Sequence, residues 1–206
     1  MVRHGESEGN VKKAVQSATE ELTALGQSQV ELLSQRFKNI PVDYILCSTT
    51  ERAKRTSITI NKHIKAQFQE TELLQERLQP TRFHGLPRSS PEFQKFDKLR
   101  SENAHDKNWR FEDGETFYDL KSRIATSKEL IEKLPHEHIL VVTHGIFLRN
   151  FLGYVLFENA FDPKLSQSLM KMMTENTGVS VFEVKKVQNG YSWSLLTWND
   201  YSHLPK

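Results

Sequence analysis

Apolar residues fall along this chain in blocks whose spacing alternates between that of a buried strand and that of a helix. Leu25, Val30, Leu32, Leu33 and Phe37 mark one face of a helix that Pro41 closes. Tyr44-Ile45-Leu46-Cys47 is a continuous apolar run ending at Ser48-Thr49-Thr50, and a helix is predicted beyond it over residues 51–68, with Ile58, Ile60, Ile64 and Phe68 apolar. A further short strand is read at 71–75. From 80 to 110, prolines, a glycine and scattered charges break the periodicity, which predicts an irregular or helical excursion. The helical pattern returns over 116–134 and stops at Pro135, strand Ile139–Thr143 follows at once, and helices are predicted at 145–156 and 163–173. Two closing strands, 179–184 and 192–197, are joined by an Asn189-Gly190 hairpin signal.

Strands alternating with helices imply a mostly parallel sheet covered on both faces, a three-layer α/β sandwich. A length of 206 residues suits one domain, with the 80–110 excursion beside it. Two histidines, each followed by glycine, stand directly after apolar runs, in Val2-Arg3-His4-Gly5 and Val142-Thr143-His144-Gly145. In one parallel sheet both rings emerge at the same edge, where such sheets bind ligands. Only Met1 and Val2 precede Arg3-His4, so either the first strand is unusually short or the chain begins upstream.

Charge adds little at the level of the whole chain. Lys and Arg number 28 against 26 Asp and Glu, a net charge of +2 that gives no reason to expect a nucleic-acid or membrane partner. Any anion site must therefore be local. Cys47 stands alone and reads as a small buried hydrophobe, no apolar run reaches a membrane span, and no basic-then-apolar leader is visible, which together suggest a reducing cytoplasm. Met170, Met172 and Met173 read as core filling.

Arg3 beside His4, and Arg52 shortly after Ser48, redirect the reading of the histidines, because guanidinium groups repel a metal cation and attract phosphate. Arg3-His4-Gly5-Glu6-Ser7-Glu8-Gly9-Asn10 resembles the Arg-His-Gly-Glu-Ser/Thr-x-x-Asn signature of the histidine phosphatase superfamily, the phosphoglycerate mutase-like proteins. The likeness continues through Leu22-Thr23-Ala24-Leu25-Gly26, Ser48 to Thr56, Gly114-Glu115-Thr116, Thr143-His144-Gly145, and the terminal Asn199-Asp200 with His203-Leu204.

The resemblance implies a phosphoglycerate mutase-like fold, with His4 as the phosphorylated nucleophile and Arg3, Arg52 and His144 around the phosphoryl oxygens. Asn10 and the Gly145 amide are candidates to complete the cradle, with no metal and no cofactor. Asn10 reads equally well as a helix cap, and Glu6 as a residue that orients the first turn. In relatives a carboxylate beyond the strand after the arginine-bearing helix serves as general acid. Glu76 stands there in preference to Glu72, although Glu76-Arg77-Leu78-Gln79-Pro80 departs from the family's usual Glu-x-x-x-Gly.

The expected activity is hydrolysis of a small anionic phosphomonoester. Mutases of this family usually carry Trp where this chain has Gly9. A mutase-type phosphotransferase and an idle phosphate-binding module are the alternatives. Residues 80–110 hold seven Lys and Arg against four Asp and Glu, which marks Arg82 and Arg88 as candidate substrate contacts. His84 lies in the same excursion, whereas His203 and the remaining histidines have no comparable context.

Overall fold

The structure, a computed structural model, describes residues 1–205. Its strands are β1 (Val2–Arg3), β2 (Tyr44–Ser48), β3 (Gln67–Thr71), β4 (Ile139–Thr143), β5 (Val179–Val187) and β6 (Gly190–Asp200). They form one sheet in the order β3-β2-β4-β1-β5-β6. The first four are mutually parallel, and the β5–β6 hairpin joins β1 antiparallel. The helices are α1 (Glu8–Val11), α2 (Ala24–Phe37), α3 (Glu51–Ile64), α4 (Pro91–Glu102), α5 (Phe117–Lys133), α6 (Gly145–Phe157) and α7 (Pro163–Leu169). None of them is long and apolar enough to cross a membrane.

The period-two alternation of the central strands builds the three layers. Ile45 and Cys47 of β2, with Leu140 and Val142 of β4, pack against Val30, Leu33 and Phe37 of α2 and Ala53 and Ile60 of α3. Tyr44, Leu46 and Val141 face the other way, onto Leu120 and Ile124 of α5 and Phe147 and Phe151 of α6. Leu46 is fully buried, so truncating it to alanine costs about 2–5 kcal/mol. Cys47 is likewise fully buried, as its sequence setting implies.

The 80–110 excursion carries a core of its own, in which Val15, Phe83, Phe93 and Phe96 pack with Leu86, Trp109 and Phe111. It begins α4 with Ser90 accepting from the Phe93 amide and Pro91 in the first turn. A bridge between Ala14 and Pro87, flanked by a bond from the Arg88 amide to the Lys13 carbonyl, ties it to the loop after α1.

Four elements differ from the sequence pattern. The helix predicted over 51–68 stops at Ile64, because Lys65 turns left-handed at φ 54 and Asn61 bonds both the amide and the carbonyl of Ala66. The strand read at 71–75 is instead β3, four residues earlier, and Glu72–Leu74 is a 3-10 turn capped by the Thr71 hydroxyl. The helix predicted over 163–173 ends at Leu169, and Met173 is exposed rather than part of the core. The hairpin turns through Gln188 and Asn189, and Gly190, at φ 114, begins β6 opposite Val187.

Candidate active site

Three neighbouring strand ends deliver the chemistry. Parallel pairing of Arg3 with Thr143 sets His4, just beyond β1, beside His144, which follows β4 and caps α6. Their ring centroids lie 5.0 Å apart. β2, on the far side of β4, leads through Ser48-Thr49-Thr50 into α3, whose first turn carries Arg52. The turn after β1 needs glycine, since a β-carbon on Gly5 would lie 2.6 Å from Val30 of α2 and 2.8 Å from the Gly26 carbonyl.

Arg52 joins the two rings. It is 2 % exposed and donates through Nε to His4 Nε2 and through Nη2 to His144 Nδ1, both at 3.3 Å, and through Nη1 to the Ser17 carbonyl at 2.8 Å. All three acceptors are neutral. Burial lowers its pKa to about 10, which leaves it charged at neutral pH with no carboxylate in direct contact.

The protons on the rings follow from their partners. His4 Nδ1 lies 2.7 Å from the Gly5 carbonyl, which can only accept, so Nδ1 carries the hydrogen and Nε2 keeps a lone pair. His144 Nδ1 meets the guanidinium, which can only donate, so its hydrogen sits on Nε2, facing Ser48 Oγ at 2.9 Å and Thr50 Oγ1 at 3.2 Å. Burial, reinforced by Arg52 and Arg3, holds both imidazoles well below their ordinary pKa and therefore neutral.

A second group of donors converges on the start of α6. Arg3 gives Nη1 to the Thr174 carbonyl, while its buried Nε and the buried Thr174 hydroxyl have no hydrogen-bond partner among the described residues. A β-carbon on Gly145 would stand 3.0 Å from that hydroxyl, 3.4 Å from Arg3 Nε and 3.6 Å from Arg149 Nη1. Unsatisfied buried polar groups are costly, and donors gathered at a helix N-terminus are satisfied by an anion.

Glu76 reaches the same helix end. Its carboxylate accepts from the amides of Ile146 at 3.0 Å, Phe147 at 2.9 Å and Arg77 at 3.0 Å. The Leu148 amide bonds the His144 carbonyl, which leaves the Gly145 amide as the first donor of the helix without an acceptor among the described residues. A cavity of about 600 Å³ opens here, lined by Arg3, His4, Asn10, Glu76, Gly145 and Arg149 among others. Arg52 borders a smaller adjoining cavity of about 170 Å³, which also touches Glu76 and His84.

The structure thus brings Arg3, His4, Arg52, Glu76, His144 and Gly145 together. Glu72 is exposed, and Arg55 points outward in a 2.6 Å pair with Glu51. Asn10 lines the cavity but spends its Oδ1 on the amide and hydroxyl of Ser7 and on Asn176 Nδ2, so only its own Nδ2 remains for a ligand. Glu6 does orient the first turn, accepting from the Thr23 hydroxyl at 2.7 Å. Arg88 lines the cavity, whereas Arg82 is exposed and bound by Glu92 and Glu112, so its part in the sequence-based substrate face is corrected. Sequence reasoning missed Thr174 and Arg149. Arg149 was findable, four residues after Gly145 on one helix face, but nothing near Thr174 in the chain signals its role.

Comparison with known proteins gives the lineage and the fold. Residues 1–201 match the family model described as histidine phosphatase superfamily (branch 1). A probable phosphoglycerate mutase GpmB from Photorhabdus laumondii is 30% identical over 169 residues, covering 76% of this chain and 73% of its own. Among solved structures, Bacillus stearothermophilus YhfR superposes with a TM-score of 0.79 at 22% identity, covering 98% and 96% of the two chains. A phosphoserine phosphatase from Entamoeba histolytica, in complex with phosphoserine, superposes at 0.75 with 21% identity over 99% and 97%. At those identities the two structures speak to the fold, and the family model to the lineage. The chain belongs to the histidine phosphatase superfamily, branch 1.

Proposed function

We propose that this protein is a metal-independent phosphomonoesterase that works through a phosphohistidine on His4. The observation that carries this reading is the pair of neutral imidazoles bridged by Arg52, with the His4 lone pair fixed on Nε2 by the Gly5 carbonyl. His4 Nε2 attacks phosphorus, and the ring becomes cationic while its Nδ1–H continues to donate to that carbonyl. Arg3, Arg52 and the Gly145 amide stabilise the equatorial oxygens as charge spreads over them, while His144, whose Nε2 hydrogen is spent on Ser48 and Thr50 and whose Nδ1 accepts from Arg52, orients that guanidinium. Glu76, in its acid form, gives a proton to the departing alcohol. As carboxylate it then takes one from the water that attacks the phosphohistidine, which releases inorganic phosphate and restores neutral His4.

A small anionic substrate suits the cavity, where Arg3, Lys13, Arg77, Arg88 and Arg149 face the single carboxylate of Glu76. The mutase name of the relative from Photorhabdus laumondii favours a second reading, transfer of the same phosphoryl group to a phosphoglycerate instead of water. The test is turnover of p-nitrophenyl phosphate in excess chelator. It should leave an acid-labile, alkali-stable adduct that is lost in His4→Ala. Chelator-sensitive activity overturns the proposal, and phosphate recovered on added phosphoglycerate rather than in solution selects the mutase.

A further inference from the structure

The terminal Asn199-Asp200-x-x-His203 sequence lies outside the catalytic group, yet its polar side chains converge on the loop beneath His4. That loop, Thr174 to Gly178, crosses under the end of β1. The Thr177 amide donates to the carbonyls of Arg3 at 3.0 Å and His4 at 3.3 Å, and Asn176 Nδ2 donates to the His4 carbonyl at 2.8 Å. These bonds require Thr177, a fully buried β-branched residue, to sit at φ 63, a strained conformation that surrounding contacts must enforce.

The tail supplies the enforcing contacts. His203 Nε2 lies 2.9 Å from Thr177 Oγ1, which itself donates to the Asn176 carbonyl at 2.6 Å. Arg36 of α2 fixes the ring's proton. Its Nη1, 3.4 Å from His203 Nδ1, can only donate, so Nδ1 accepts and Nε2–H is the end that points at Thr177. Arg36 is held in turn by Asp200, whose carboxylate lies 2.5 Å away, and Asn199 Oδ1 caps the other end of the loop by accepting from the Glu175 amide at 2.7 Å. Each polar member of the signature therefore has a defined partner, and all of them bear on the loop that carries the His4 backbone.

We propose that His203 is a positioning residue for His4, acting through Thr177 and the Arg36–Asp200 pair. The assignment rests on the phosphohistidine reading for its effect on rate, though not for its effect on geometry. His203→Ala should lower kcat on p-nitrophenyl phosphate about tenfold, since small misplacement of a reacting group is costly in rate, with KM within about twofold of wild type. His203→Gln, whose amide nitrogen can take the place of Nε2, should recover most of the loss. Thr177→Gly, which tolerates the left-handed backbone but cuts the link, should reproduce it. The ring resonances of His4, followed by NMR, should shift in His203→Ala and return in His203→Gln.

If the wild type proves inactive while those resonances respond, the hydrolase reading fails and the positioning role stands. A His203→Ala variant with wild-type kcat and unmoved His4 resonances overturns the proposal. So does a loss that His203→Gln does not mend.

Discussion

The Nε–H of Arg52 points at the unprotonated Nε2 of His4 across 3.3 Å, so the atom proposed as nucleophile is covered by a donor of the proposed phosphate cradle. A guanidinium bonds a phosphoryl dianion more strongly than a neutral imidazole. In the proposed mechanism, arrival of substrate draws Arg52 onto oxygen and uncovers the lone pair at the same step. Until then the guanidinium is a buried charge resting on neutral acceptors, a state that favours anion binding.

Arg52→Lys tests this coupling directly. Lysine keeps the charge, but as a single point it cannot span two imidazoles and the Ser17 carbonyl together. We expect kcat/KM on an aryl phosphate to fall by about a hundredfold to a thousandfold, in the range seen when a charge-stabilising donor is removed from a transition state. Steady-state kinetics checks it, and a loss under threefold would remove Arg52 from the cradle.

Stability should depend on pH through the two rings. Both are held neutral in the folded chain, well below the ordinary value of 6.5 at which they protonate when unfolded. Below that pH the unfolded chain binds more protons, so stability falls as the pH is lowered, until the folded pKa is reached. The slope is up to about 1.4 kcal/mol per pH unit for each ring. Urea midpoints measured from pH 7.5 to 5 should show this decline, and His4→Gln should be less steep than wild type by one ring's share. Equal slopes in the two proteins would contradict the assignment.

The sequence made some of this legible and hid the rest, for physical reasons. β4 is readable to the residue because it is buried on both faces and ends at His144-Gly145, where α6 begins, and the same pattern marks His144. β3 is not, because an edge strand reading Gln67-Phe68-Gln69-Glu70-Thr71 has little apolar alternation and continues the apparent period of α3. Arg3, His4 and Arg52 are visible because contiguous motifs carry them. Thr174 is silent because it meets Arg3 only through the fold, and the role of His203, though the terminal motif carries the residue, is silent because its partners, Thr177 and Arg36, come from separate segments. The hold of Glu76 on the amides of α6 likewise spans about seventy residues and leaves no local trace.

Gly145→Ala probes the donors gathered at the start of α6. The added methyl would stand 3.0 Å from the Thr174 hydroxyl and 3.4 Å from Arg3 Nε, inside the space an anion would use. Alanine at the first position of a helix is otherwise well tolerated. We expect inorganic phosphate to inhibit about tenfold more weakly, which is roughly 1.4 kcal/mol of binding, with little change in thermal midpoint. An unchanged inhibition constant would place the anion elsewhere.

Glu76→Gln separates proton transfer from architecture. The glutamine carbonyl can still accept from an α6 amide, so the helix end keeps part of its cap, while the group can no longer donate or take up a proton in a catalytic step. Protonation matters most when the departing oxygen is a poor leaving group. An alkyl phosphate should therefore lose about a hundredfold to ten-thousandfold in kcat, whereas dinitrophenyl phosphate, which leaves without help, should form the phosphohistidine at nearly the wild-type rate. The adduct should then accumulate, because the same residue is needed to activate water. Rapid-quench measurement of adduct on the two substrates checks both halves. If the loss is equal for both leaving groups and no adduct builds up, Glu76 serves as a cap on α6 and another group supplies the proton.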